Sequence, residues 1–222
     1  MIPREHICGG CILNKYIILT AAHCFGEIEP EEAKVRLGST YYPRVPIYDI
    51  AILKLRKPVY QTRTIRYIKL PKKKPRTGTR ALMCGWGITG FAASGISAHL
   101  RRATVLHIDS KDSASSGWNI YGEFIRETMI CAGALDQAAC GGDSGNTLVV
   151  KNEVVGIASW SCEAQNFPDV YTDIVVLRLW INKAMKALIK KKNPMARKPV
   201  IAKYYRNSTT KTDINSQSIK RV

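Results

Sequence analysis

Short apolar runs rich in β-branched residues recur along this chain, and turn residues cut each of them off before a helix could establish itself. Tyr16-Ile17-Ile18-Leu19-Thr20 and Asp49-Ile50-Ala51-Ile52-Leu53 are two such runs. Gly9-Gly10, Pro30, Gly38, Pro43, Pro58, Pro71 and Pro75-Arg76-Thr77-Gly78 punctuate the chain to about residue 80, and residues 81–175 continue the pattern. Strand-like runs between turn signals mark antiparallel sheet. Two such halves in 222 residues, with few helical stretches, predict an all-β chain of two antiparallel β-barrels. The last regular element differs. Leu177, Ile181, Ala184 and Leu188 recur at helical spacing behind a capping residue, Asp173, which predicts a helix over 176–189. Pro194 stops its continuation, and residues 190–222 read as a polar, basic, disordered tail.

Chemistry concentrates in Ala139-Cys140-Gly141-Gly142-Asp143-Ser144-Gly145. Glycines on both sides of a serine allow a tight turn and leave its hydroxyl uncovered. The N–H groups of Gly142 and Ser144 can then converge on one point, as an oxyanion requires. Taken alone, the tetrad is also compatible with a glycine-rich turn that has no chemistry. A hydroxyl nucleophile needs a base. Of the four histidines, His6, His23, His99 and His107, His23 stands at the end of the Tyr16–Thr20 run, in Thr20-Ala21-Ala22-His23-Cys24. The imidazole in turn needs an acid to fix its tautomer. Asp49 opens the second run, where a carboxylate is costly unless partnered.

The order His23, Asp49, Ser144 is that of the chymotrypsin type. His6-Ile7-Cys8-Gly9-Gly10-Cys11, Val35-Arg36-Leu37-Gly38, Gly85-Trp86-Gly87, Met129-Ile130-Cys131-Ala132-Gly133 and Gly156-Ile157-Ala158-Ser159-Trp160 fall in the same order as in that family. Over residues 6–189 the chain resembles a trypsin-like serine protease of the chymotrypsin family. The resemblance implies a truncated first barrel in 1–80, a second barrel in 81–175 and a closing helix in 176–189. It implies a serine endopeptidase with His23 as base, Asp49 as orienting acid, Ser144 as nucleophile, and Gly142 and Ser144 as the oxyanion hole. It also implies disulfides Cys8–Cys24 and Cys140–Cys162, and hence an oxidising, extracellular compartment. No metal or cofactor is expected. Cys11, Cys84 and Cys131 complete the seven cysteines, and their pairing is open.

Four departures from the family bear on activity. The seven residues before Cys8 hold no Ile-Val-Gly-Gly-like start and no signal-type apolar segment. The resemblance makes such a start the source of an α-amino partner for Asp143. Without it, the expectation is that Asp143 turns away and leaves the oxyanion turn misplaced, as in a zymogen. The His23-to-Asp49 segment is short, which removes strands and opens the first barrel. In the pocket, Ala138 stands where relatives carry an acid. Asp169 occupies the wall, with Ser159, Trp160 and a short Ser161-Cys162 loop as the other expected substrate-binding residues. Asp169 either supplies a relocated acid for Lys and Arg or fills the pocket. Asn146-Thr147 replaces the Gly-Pro usual after the tetrad, which reads as a mild packing change.

The chain carries a net charge of +17, and eleven basic residues with no acid fall between Lys54 and Arg80. Such patches attract polyanions, although solvated lysine and arginine are the simpler reading. Asn207-Ser208-Thr209 is a glycosylation sequon. The expected partners are polypeptide substrates and protein protease inhibitors, with the chain a monomer lacking a membrane span. The alternative function is a catalytically impaired homologue that acts by binding.

Overall fold

The computed structural model describes residues 8–25, 48–55, 57–88, 95–108, 125–134, 139–160, 168–190 and 201–204, with backbone alone at 106–108 and 201–204. Strands β1 (Cys11–Asn14), β2 (Ile17–Thr20) and β3 (Ala51–Lys54) pair antiparallel in an open sheet. A second set closes on itself: β4 (Arg80–Gly85), β5 (Arg101–Ile108), β6 (Met129–Gly133), β7 (Thr147–Val150), β8 (Glu153–Trp160) and β9 (Asp169–Asp173). Their barrel order is β4-β5-β6-β9-β8-β7. Among the described residues the chain is therefore mostly β, with one closed barrel beside an open sheet.

Strand β8 explains how the halves share a core. A bulge at Val155, the extra residue opposite Leu148–Val149 of β7, shifts the strand's side-chain alternation, and both faces are covered. Val155 and Ala158 pack inside the barrel with Met83, Val105, Ile130 and Tyr171. Val154 and Ile157 pack outward against Ile17, Leu19, Ile50 and Ile52 of the open sheet. Helix α1 (Ile174–Lys190) closes that outer core with Ile174, Leu177, Ile181, Ala184 and Leu188. The Asp173 carboxylate accepts from the N–H groups of Val175 (2.8 Å) and Val176 (3.1 Å), which is an N-cap. At the other helix end, Lys54 Nζ donates to the Leu188 carbonyl at 2.9 Å, placing a cation where free carbonyls accumulate.

The expectation for the tail fails at one place. Strand β10 (Ile201–Tyr204) pairs antiparallel with β3, from Ile201 opposite Lys54 to Tyr204 opposite Ala51. The reason is the edge of β3 that no other described strand covers. An uncovered β3 would present unpaired N–H and C=O groups, and any extended segment within reach can satisfy them. The other residues of the expected tail beyond Lys190 lie outside the described residues. The connector from Lys57 to Thr79 binds both halves: Ile68 N–H donates to Ile12 O (3.0 Å), and Val154 N–H to Lys69 O (2.9 Å).

Asp173→Ala removes the cap and the partner of Lys74, whose Nζ lies 2.9 Å from Asp173 Oδ2. Loss of the cap costs about 1 kcal/mol. The urea midpoint of Asp173→Ala should fall by a corresponding amount, while Asp173→Asn, which can still cap, falls less. Equal midpoints for the two variants would deny the capping role.

Candidate active site

Two overlapping tight turns present Ser144. Asp143 N–H donates to Cys140 O (2.8 Å) and Asn146 N–H to Asp143 O (3.0 Å). Gly142 and Gly145 sit at φ 96° and 77°, where side chains are strained, so glycine is required on both sides of the serine. Space imposes the same requirement at Gly145, because a Cβ there would collide with Gly9 O and Thr20 Oγ1. The turn is fixed to β8 by Gly145 N–H to Ala158 O and Ala158 N–H to Asn146 O, both 2.8 Å. It is fixed to the first half by Gly9 N–H to Ser144 O at 2.6 Å.

His23 opens a short 3₁₀ turn directly after β2. Cys24 of that turn is bridged to Cys8, with Cα atoms 6.1 Å apart, which ties the turn to the Gly9 segment. The Asp49 carboxylate holds His23 twice. Oδ1 accepts from the His23 backbone N–H at 2.9 Å, and Oδ2 lies 2.6 Å from Nδ1. The same Oδ2 accepts from Ser159 Oγ at 2.6 Å, and the Asp49 carbonyl accepts from Thr172 Oγ1 at 2.8 Å. With Nδ1–H directed at a carboxylate, Nε2 keeps its lone pair. Nε2 is buried and makes no hydrogen bond among the described residues, so the expected contact with Ser144 Oγ is not made in this structure. Such contacts are often long until substrate arrives. Ser159, expected among the substrate contacts, gives its hydroxyl to Asp49.

Asp143 departs from expectation. Its carboxylate stays buried, at 6% exposure, and has neutral partners. Oδ1 accepts from Gly87 N–H (2.9 Å) and Asn146 Nδ2 (3.0 Å), and Oδ2 from Cys140 N–H (3.1 Å). A buried carboxylate with several donors need not swing into solvent. Asn146, read from the sequence as a packing change, is thus a hydrogen-bonding residue. A polar side chain so close after a nucleophile was the signal available.

Asp169 is 2% exposed and accepts from the Ala139 N–H. Burial pushes its carboxyl up to about 7; the Ala139 N–H opposes this, the nearby Asp143 charge adds to it, and Tyr171 opposes it. Trp160 ends β8, half-buried against Met129, Cys131 and Val170. Ala138, Ser161 and Cys162 lie outside the described residues, and with them the expected Cys140–Cys162 bridge. Cys8 and Cys11 have a metal-like Cys-x-x-Cys spacing, and Cys8, His23 and Cys24 cluster within 4.8 Å. Cys8 and Cys24 are nonetheless consumed by their disulfide, and Cys11 is a buried thiol whose burial pushes its pKa up to about 12, so no thiolate is offered.

The family model for trypsin matches residues 2–181. This chain belongs to the trypsin family. Among curated trypsins it is 38% identical over 206 residues to trypsin of Sarcophaga bullata, covering 83% of this chain and 81% of the relative. It is equally identical over 206 residues to trypsin theta of Drosophila melanogaster, covering 83% and 78%. Mouse neuropsin, a serine protease, superposes with a TM-score of 0.64 at 27% identity, covering 81% of this chain and 89% of neuropsin. A scabies mite inactivated protease paralogue superposes with a TM-score of 0.70 at 23% identity, covering 84% and 90%, a likeness of fold. Trypsin-family membership makes this chain a serine endopeptidase by descent, acting on polypeptides.

The raised Asp169 pKa makes stability depend on pH with a definite sign. Between the ordinary value of 3.8 and about 7, the folded state holds a proton that the unfolded state has released. Stability therefore falls as pH rises through that window. Asp169→Asn removes the titration while keeping an acceptor for Ala139. The melting-temperature gain of Asp169→Asn over wild type should grow from pH 4 to pH 8; a constant difference would deny that Asp169 titrates high.

Proposed function

We propose that this chain hydrolyses peptide bonds through an acyl-enzyme on Ser144, with His23 as general base and Asp49 as the acid that orients it. Ser144 Oγ attacks the scissile carbonyl carbon while its proton passes to His23 Nε2. The C–N bond then breaks and the same proton goes to the leaving amine. Water, deprotonated by His23, then attacks the acyl carbon, the ester bond to Ser144 Oγ breaks, and His23 returns the proton to Oγ. The N–H groups of Gly142 and Ser144 receive the oxyanion. The observation carrying this reading is the double hold of Asp49 on His23, at 2.9 Å to the backbone and 2.6 Å to Nδ1. It sets the tautomer whose Nε2 can accept a proton. A second reading, a non-catalytic homologue, draws on the absence of a hydrogen bond at Nε2.

In this reading Ala138, Ser159, Trp160, Ser161 and Asp169 form the specificity pocket, and Asp169 selects Lys or Arg on the acyl side. A desolvated carboxylate is costly alone, and a substrate cation offsets that cost. The Cys8–Cys24 bridge fits a secreted protein. No helix among the described residues is long and apolar enough to cross a membrane. Protein protease inhibitors would occupy the same cleft as substrate. Lys73, Arg76 and Lys151 line one open cleft with Glu153, and this basic end is where a polyanion would dock.

Labelling with a fluorophosphonate probe tests the reading. Wild-type chain should label, Ser144→Ala should not, and Asp49→Asn should label slower by about 10³- to 10⁴-fold, as in related triads. Folded, disulfide-bonded wild type that fails to label would favour the non-catalytic reading. In ester hydrolysis, the ratio of Arg to Leu turnover should rise as pH climbs through about 7, where Asp169 ionises. That rise should vanish in Asp169→Gly.

A further inference from the structure

We propose that the Asn146 carboxamide is a positioning residue for the nucleophile: by donating from Nδ2 to the buried Asp143 carboxylate, it sets the Gly142–Ser144 turn. This rests on the hydrolase reading above. Three donors reach Asp143, and two of them, Gly87 N–H and Cys140 N–H, belong to the backbone. Asn146 Nδ2, at 3.0 Å, is the side-chain donor among the bonds described. All three are neutral, and among the described residues no ion pair to the Asp143 carboxylate is made.

The surroundings are shaped for this pair. Asn146 is 5% exposed. A Cβ at Gly9 would collide with Asn146 Oδ1, and one at Gly85 would strike both Asp143 Oδ1 and Asn146 Nδ2. A Cβ at Gly87 would strike the Asp143 carboxylate from its other side. Two glycines of Gly85-Trp86-Gly87 thus form a cradle that a carboxylate and a carboxamide fill together. The orientation of the amide follows from electrostatics: reversed, its oxygen would face a carboxylate oxygen, whereas the amide nitrogen donates to it. The backbone of Asn146 is pinned as well, with its N–H on Asp143 O and its carbonyl accepting from Ala158 N–H. Asp143 lies between Gly142 and Ser144, so the direction of its side chain and the aim of both flanking N–H groups cannot change independently.

Asn146→Ala leaves the carboxylate short of one donor. A displacement of the turn by about 1 Å is enough to cost roughly 10² in rate. The expected result is a kcat lower by about that factor with KM little changed. Asn146→Asp is the discriminating variant, because it keeps the shape and replaces the donor with a second carboxyl. Two carboxyls at this distance cannot both ionise. As pH falls, the pair takes up one proton, and the O–H so formed restores a donor. Relative to wild type at each pH, the activity of Asn146→Asp should therefore rise from pH 8 to pH 6. His23 and Tyr171 are common to both proteins, and Asp169, which interacts electrostatically with Asp143, is removed from both by taking the ratio in an Asp169→Asn background. A residue that merely fills space would give a flat ratio.

Both variants and wild type are assayed as the full disulfide-bonded chain, by ester hydrolysis and by fluorophosphonate labelling. Unchanged kcat in Asn146→Ala, or a flat pH ratio in Asn146→Asp, overturns the proposal while Ser144-dependent labelling of wild type leaves the hydrolase reading intact. Wild type without Ser144-dependent labelling overturns both. If Asn146→Ala fails to fold, the pH ratio of Asn146→Asp decides.

Discussion

The Asp49 carboxylate is 1% exposed, and the groups that offset its burial come from both halves of the molecule. His23 N–H and Nδ1 reach it from the turn after β2, and Ser159 Oγ reaches it from β8 of the barrel. Thr172 of β9 takes the Asp49 carbonyl. A carboxylate removed from water is tolerated only while such partners remain in place. The open sheet and the closed barrel are therefore coupled at this one residue. Any separation of the halves strips Asp49 of the Ser159 and Thr172 donors and leaves the carboxylate that orients His23 short of partners. The active-site arrangement and the docking of the two halves are consequences of the same buried charge.

A second seam runs parallel to the first. Gly9 meets Ser144 by a backbone hydrogen bond, and Thr20 Oγ1 donates to Gly9 O at 2.7 Å. The Cys8–Cys24 bridge holds the Gly9 segment to the His23 turn. The segment that fixes the nucleophile turn is thus covalently joined to the turn that carries the base. In this account, base and nucleophile keep their spacing because one short stretch, Cys8 to Thr20, touches both. The shared apolar core of β8, the open sheet and α1 supplies the burial that makes each of these polar contacts persist.

Much of this was legible in the chain because it depends on local chemistry. Strand-length runs, the helix with its Asp173 cap, and the turn around Ser144 follow from backbone preferences of neighbouring residues. The pairing of His23 with Asp49 was legible through the cost of a carboxylate at the head of an apolar run. Other features depend on what lies across space. β10 forms because β3 has an edge to cover, and Ile201–Tyr204 among basic residues carries too weak a pattern to announce it. Asn146 looked like a packing substitution, since nothing in the sequence shows that Asp143 bends back toward it. The bond from the Ser159 hydroxyl to Asp49 joins residues 110 positions apart, and no local pattern announces it. The elevated pKa of Asp169 follows from its burial and from the nearby Asp143 charge, against the lowering effect of the Ala139 N–H and Tyr171, and these neighbours are distant from it in sequence or hidden by the fold.

The coupling at Asp49 is most directly tested by the Nδ1 proton of His23 in nitrogen-15-labelled chain. A proton held between Nδ1 and a buried carboxylate at 2.6 Å is strongly deshielded and slow to exchange. The account predicts such a far-downfield signal in wild type and in Ser144→Ala, its displacement in Ser159→Ala, and its loss in Asp49→Ala. A folded wild-type chain without that signal, or its persistence in Asp49→Ala, would contradict the claim that Asp49 holds His23 and joins the two halves.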